Sequence, residues 1–535
     1  MFEMSRPHAA KRGLLALALG AAALVGVPAS ADATTIASDA EVTSDNVHAD
    51  DEFGAVVAVD GDLMVVGAPH HSTQKGKAYI FARDEGGADA WGQVAELTPS
   101  RNNNLSNFGQ AVAIDGDTVV FGAPREYGAG ARTGEVFVFA RNEGGADAWG
   151  EVTSLAASDA ADNDFFGRSL ALEGDTLVVG ASGDDDNGSD SGAVYIFERD
   201  AGTWSETVKL APDDTGLNDQ FGKRVALEGD TLVVAADDDT ANGENDGAVY
   251  IFGRNEGGLD FWGDVAKLSA PATASNPDFG DAVAIASDYL VVGADAAEGG
   301  VAESGAAYVY GRDEGGADNW GLVSTLVGSG GAAGDAFGRT VALSADALLV
   351  GAERADARGT DSGVVYLFEM NAGQWTESQK LALPALGDDD LFGSSVAIDA
   401  DTFAVGATTI ISEGSVYMFR LIADTGGDAG VDAGPDAGPD AGVDAGADIG
   451  VDTGPSADTG TPEDTGADVN SDIGVEADAG DDAGSQADAG GRVPEDDGEP
   501  EDEGCACSSV GSTPGSAAGI FVALVALIGV RRRLS

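Results

Sequence analysis

The chain has 535 residues and carries 93 acids against 27 bases, a formal charge of −66. A phosphate-binding surface needs clustered Lys and Arg, so this balance excludes a nucleic-acid partner and makes cations the natural counter-species. The length suits several average domains or one large repeat architecture.

Lys11 and Arg12 precede an apolar run, 13–27, and Ala29-Ser30-Ala31 follows as a small-residue cleavage site. Residues 1–31 read as a secretory signal peptide, with the mature chain starting near Asp32.

Seven Phe-Gly pairs then begin at Phe53, Phe108, Phe166, Phe221, Phe279, Phe337 and Phe392, 55 or 58 residues apart. A period this long with several strands per copy predicts a propeller or an array of small sheets. Each copy opens on a strand that alternates small with large residues, as in Ala111-Val112-Ala113-Ile114. A turn follows, with an Asp eight residues after the Gly, from Asp62 to Asp401. The expected role of that Asp is to cap the turn. Next comes a continuous apolar run such as 177–181, a strand covered on both faces. It contains a Gly at 67, 122, 180, 293, 351 and 406, with Ala235 in copy four; a glycine there predicts close backbone approach or a bulge. A third strand places two rings on one face, as in Tyr195 and Phe197.

A fourth segment carries a Trp, but there are six tryptophans for seven Phe-Gly pairs. Its last apolar residue lies 11 positions before the next Phe, and counting 11 back from Phe53 reaches Val42. A segment at about 35–43 is therefore predicted to supply the missing outer strand of copy seven and close the ring. The expectation is all-β: a seven-bladed β-propeller over 32–423.

The pattern of Phe53-Gly54 with Gly67-Ala68-Pro69, and of Phe108-Gly109 with Gly122-Ala123-Pro124, resembles the FG-GAP repeat of integrin α-chain propellers and bacterial surface proteins. That resemblance implies Ca²⁺ as cofactor in the loop between strands two and three. Ca²⁺ takes six to eight oxygens at short range, which clustered Asp with a turn Gly supplies. Copy three offers Asp184, Asp186 and Asp190, with Gly188 one place early for the family pattern. Copy four offers Asp237, Asp239 and Asp246, with Asp238 and Asn242 beside them. Copy six keeps only Asp356 and Asp361, and the alternative for all of them is a solvated turn-rich loop.

No cysteine lies inside the propeller, and after the leader the only histidines are His48, His70 and His71. A Cys-His pair is excluded there, and no nucleophile elbow marks a Ser. Adjacent side chains such as His70 and His71 seldom converge on one ion. The chain is read as a non-enzyme, with paired-carboxylate catalysis the open alternative.

Residues 424–504 hold 25 acids and one base, Arg492, in Asp-Ala-Gly and Asp-Thr-Gly text. Such a segment cannot bury enough apolar surface to offset its ordering entropy, so a disordered spacer is expected. Over 505–535 come Cys505-Ala506-Cys507, a short apolar run and Arg531-Arg532-Arg533. This order resembles the Myxo-CTERM sorting signal, which implies processing or lipidation at Cys505 and a membrane anchor at the cell surface. The functional expectation is a secreted, surface-anchored adhesion module for an extracellular protein or polysaccharide. A polysaccharide hydrolase or lyase, and a display module without specific ligand, are the alternatives.

Overall fold

The computed structural model describes residues 35–422, apart from 88–89, 102, 128–131, 240–246, 259–260, 272–277, 300, 317–318 and 409–412. The expected signal peptide, the acidic segment 424–504, Cys505 and the C-terminal segment lie outside the described residues. Among the described residues no helix is long and apolar enough to cross a membrane.

The chain forms seven antiparallel sheets of four strands, each begun by one Phe-Gly copy. Blade 3 shows the plan: Phe166–Glu173 lies innermost, then Thr176–Ala181, Ala193–Asp200 and Thr203–Leu210 at the rim. Blade 7 has three consecutive strands, Phe392–Asp399, Thr402–Ala407 and Ser415–Ile422, and takes its fourth from the chain start, Thr35–Val42. The register places Val42 opposite Val416, Glu41 opposite Tyr417 and Ser38 opposite Phe419. The ring is closed as the repeat spacing predicts.

The core sits between blades. Ile80 and Ala78 of blade 1 pack with Phe108 and Phe121 of blade 2, and the pattern continues around the ring. Each Phe of a Phe-Gly pair is buried against the two rings of its own third strand: Phe166 lies 5.5 Å from Tyr195 and 5.9 Å from Phe197, both edge-on. That geometry suits the ring quadrupoles. The small-large alternation of the innermost strands follows from the same arrangement. Val57 and Val59 pack toward blade 7, whereas Val56 and Ala58 face blade 2.

The glycine of the second strand is where neighbouring blades touch backbone to backbone. A Cβ on Gly122 would run into the carbonyl of Gly167, and one on Gly406 into that of Gly54 across the closing joint. In copy four the position is Ala235, whose methyl lies beside Gly280.

The turn aspartates do something other than cap their own turns. In blades 1 to 5 the carboxylate pairs with an arginine of the third strand: Asp62 with Arg83 at 2.8 Å, Asp175 with Arg199 at 2.7 Å. Each arginine also lies over the Trp of its blade, Arg199 at 5.0 Å from the Trp204 ring. The turn N–H groups are instead capped from the preceding blade, by an acid seven residues after its Phe. Asp399 accepts from Gly61 at 2.7 Å, and Glu173 accepts from Gly229 at 2.7 Å.

Candidate functional site

The acidic loops of blades 3 and 4 join the second strand to the third, on the face where the innermost strands begin. In blade 3, Asp184 and Asp186 meet Asp159, which comes from the turn that enters the blade. Their carboxylate oxygens lie within 4.8 Å of one another, an acidic group whose spacing could hold a metal ion. Asp190 is not among them: it adopts φ 52°, and its N–H bonds Asp185 Oδ1 at 2.8 Å.

The centre of this cluster already receives a cation. Lys209, from the outer strand, places Nζ 2.8 Å from Asp159, 2.8 Å from Asp184 and 2.7 Å from Asp186. The Tyr195 hydroxyl lies between two of these acids, 2.7 Å from Asp159 and 2.8 Å from Asp184, and its single proton is shared between them. Burial opposes the lysine charge, yet its bonds to Asp159, Asp184 and Asp186 push the ammonium pKa upward. Burial likewise opposes the Asp159 charge, while Lys209 and Tyr195 hold that carboxyl below its usual range.

Blade 4 repeats the device. Lys267 Nζ is 2.9 Å from both Asp214 and Asp239, and the Tyr250 hydroxyl is 3.0 Å from Asp239. Asp237 turns elsewhere, to Lys223 at 2.5 Å, so Asp237 and Asp239 do not converge on one point. Asp246 lies outside the described residues. In copy six Asp356 accepts the N–H of Asp361 at 2.9 Å, a loop-internal bond. The lysines were readable in hindsight. Lys209 and Lys267 stand one residue before the last apolar residue of the outer strand, a place that Lys380 also takes in blade 6, and only the first two belong to the copies with the densest acidic loops.

These donors fit Ca²⁺ in kind. Blade 3 offers three carboxylates where six to eight oxygens are needed, so bidentate binding, loop carbonyls or water would have to complete the shell, and the ammonium stands among them. A calcium ion there would have to expel Lys209.

A second group on this face gathers around Asp51. His71 Nδ1 lies 2.7 Å from Asp51 Oδ2 and His48 Nδ1 lies 3.6 Å from it, close enough together to hold a metal. His70 goes instead to Glu52 at 2.9 Å, so the adjacent histidines do diverge. Asp51 has a structural task as well: it accepts the N–H of His48 at 2.8 Å, as Asp164, Asp219 and Asp390 do for their own entry turns.

The same face opens onto the ring axis through a cavity of about 610 Å³. Four residues after each Phe an aliphatic side chain lines it, from Val57 through Leu170 to Val396. Above this apolar belt the lining differs from blade to blade: Gln110, Arg168, Arg224, Arg339 and Ser394.

Seven segments match the FG-GAP repeat family: residues 37–81, 91–139, 149–197, 204–252, 262–310, 320–368 and 375–419. The chain belongs to the FG-GAP repeat family. Each matched repeat runs from the outer strand of one blade through the third strand of the next, so the first uses the N-terminal strand and none is incomplete. FG-GAP repeats commonly bind calcium, and FG-GAP proteins are typically extracellular or surface-exposed binding or display modules. No curated protein matches the chain.

Proposed function

We infer that this FG-GAP propeller is a secreted binding module, held at the cell surface through its acidic spacer and C-terminal segment, and that it adheres to an extracellular polysaccharide or protein. One observation carries the reading. On a scaffold repeated seven times, the strand-two-to-three loops and the mouth of the axial cavity share one face, and there the blades differ. A rigid frame with variable loops on one side is how recognition surfaces are built. Calcium enters this reading as a competitor of Lys209 for the blade 3 acids.

The test immobilises the full chain and probes it with intact cells and a panel of extracellular polysaccharides. Retention of one of these is expected, and it should be lost when residues 185–190 of blade 3 are replaced by a Gly-Ser turn. Absence of retention, or release of new reducing ends from a polysaccharide, overturns the reading. A hydrolase or lyase is the second reading because of two acids by the axis. Arg339 brings Asp281 (2.6 Å) and Asp295 (3.5 Å) together, and burial followed by the Asp281 charge pushes Asp295 up to about 7. Acid–base hydrolysis uses neighbouring carboxyl groups of which one can hold its proton near neutral pH.

A further inference from the structure

We propose that the axial cavity binds a sugar acid, with the ligand carboxylate held by Arg168 and Arg224. The proposal rests on the binding-module reading and names the ligand class for it.

Arg168 projects from the second position after its Phe and lines the cavity, yet it makes no side-chain hydrogen bond or ion pair among the described residues. Arg224, in the next blade, bonds only carbonyl oxygens: Asp281 at 2.9 Å and Lys223 at 3.2 Å. In a chain with 93 acids and 27 bases this is an anomaly. The third-strand arginines of blades 1 to 5 each have an aspartate. A guanidinium taken out of water without a counter-charge is costly. Burial, then the charges of Arg224 and Arg125, push Arg168 down to about 10 against a partial opposing pull from the Asp237 charge, so it is still charged at neutral pH.

Gln110 and Ser394 line the same cavity, and their Oε1 and Oγ atoms lack a hydrogen-bond partner among the described residues. Both atoms are shielded from solvent, so a bound polar molecule would satisfy them only after a side-chain rotation.

The far side of the cavity decides the class. Glu353 lines it, with Arg339 Nε 3.9 Å away and already engaged with Asp281. A doubly charged sulfate or phosphate would face that carboxylate. A singly charged carboxylate can sit between the Arg168 and Arg224 guanidiniums, neither of which has a carboxylate partner among the described residues, in the forked geometry that Arg favours, while the sugar hydroxyls face the side of the cavity lined by Gln110, Ser394 and Glu353. The cavity volume falls in the range of small-molecule sites, and the aliphatic belt below offers a floor for the apolar face of a pyranose ring.

The experiment is calorimetric titration of the full chain with D-glucuronate, a polyuronate chain, D-glucose and sodium sulfate. Saturable binding of glucuronate is expected, with none of glucose and weaker binding of sulfate. Loss of one guanidinium, in Arg168→Gln or Arg224→Gln, should weaken it by about tenfold or more, whereas Arg358→Gln on a blade 6 loop should not. Because Arg168→Gln removes an unpaired charge, it should melt no lower than the parent without ligand, which separates lost binding from lost folding. If the polyuronate binds and free glucuronate does not, or sulfate binds as tightly, the proposal is overturned. Binding that survives both substitutions overturns it too. A chain that retains cells or polymer while ignoring glucuronate sinks this proposal and leaves the binding-module reading standing.

Discussion

Replacing Lys209 with Met tests whether the cation of the blade 3 loop is built into the chain. The substitution keeps much of the stem volume and removes the charge. Asp184 is the acid that matters, because its side chain is 5 % exposed, whereas Asp159 and Asp186 are 46 % and 61 % exposed. Breaking a fully buried pair costs about 3–5 kcal/mol. Lys209 is itself 19 % exposed, and Asp184 keeps the Tyr195 hydroxyl and the Asp186 N–H as donors, so about 2 kcal/mol is the better figure. For a propeller spanning 35–422 the entropy of unfolding is about 0.8 kcal/mol per kelvin, so Tm should fall by about 2–3 °C.

Calcium supplies the second arm. At 100 times its Kd a native-state ligand adds about 2.7 kcal/mol, or about 3 °C here. Lys209→Met should gain that shift in millimolar Ca²⁺ relative to chelator, since its three acids then face no ammonium. The parent should gain less, because the ion must first displace Lys209. Scanning calorimetry of the full chain, parent and variant, reads both arms. Equal calcium shifts in the two proteins, or a variant as stable as the parent in chelator, would refute the built-in cation.

Deleting residues 32–44 should lower stability by about 5 kcal/mol or more, from the buried Val42 side chain and the hydrogen bonds of a seven-residue pairing; chemical denaturation measures it, and a deletion as stable as the parent contradicts the closed ring. Gly122→Ala should cost about 3 kcal/mol because its methyl meets the Gly167 carbonyl, while Ala235→Gly, at the same place in blade 4, should cost about 1 kcal/mol. Burial, reinforced by the Asp184 charge, pushes Asp164 up to about 6. The stability its proton confers is full below about pH 4 and is lost as pH rises through 6. Asp164→Asn keeps an acceptor for the Ala161 N–H, so it should be more stable than the parent at pH 8 by on the order of 2 kcal/mol. Urea unfolding at the two pH values should show the difference vanish near pH 4.

The ring was legible because closure is a counting problem. The offset of Val42 from Phe53 repeats that of Leu97 from Phe108, and equal offsets in a repeat mean equal places in a blade. The glycines at 67 and 122 were legible too, since little besides backbone contact explains a glycine inside a buried strand. The acidic loops were harder. Asp184 and Asp186 stand near each other in sequence, but their third partner, Asp159, is 25 residues earlier, and the lysine between them belongs to the outer strand. Local spacing reports what one loop offers and says nothing about what a neighbouring strand inserts into it. The turn aspartates failed for a related reason. Asp-Gly predicts a turn correctly, yet Asp175 prefers the planar fork of Arg199, 24 residues on, and leaves turn capping to the blade before. The arginines at the axis carried no motif at all. Arg168 and Arg224 stand out only once the fold shows them facing one cavity without a carboxylate partner among the described residues.

The joints between blades suggest how such a ring diversifies without opening. The arginine two residues after the second ring of a third strand reaches back to the first residue of the preceding blade's second strand. Arg199 bonds Thr118 at 2.9 Å, Arg254 bonds Thr176 at 2.9 Å, Arg312 bonds Thr231 at 3.0 Å, and Arg83 bonds Thr402 of blade 7 at 2.7 Å. In blade 6 that arginine is replaced by Met370, and the residue it would reach in blade 5 is Tyr289, an apolar pair within one cluster with Tyr289 edge-on to Trp375 at 5.7 Å. In blade 7 the pair is Leu421 and Ala347, again apolar on both sides and in one cluster. Away from the closing joint, where Arg83 and Thr402 stand 319 residues apart, the two members of these pairs lie about 80 residues apart in different repeats, yet their polarity agrees. Arg141 against Leu63 is the mixed case, and there the guanidinium keeps Asp117 and Trp149 of its own blade. Each joint therefore behaves as a unit that can exchange a charged latch for an oily one, provided both blades change together. Six of the seven joints keep their polarity matched, and the opposite face is free to vary. That division is what lets one blade carry an unpaired arginine at the axis and another a lysine buried among acids, on a frame that remains the same from blade to blade.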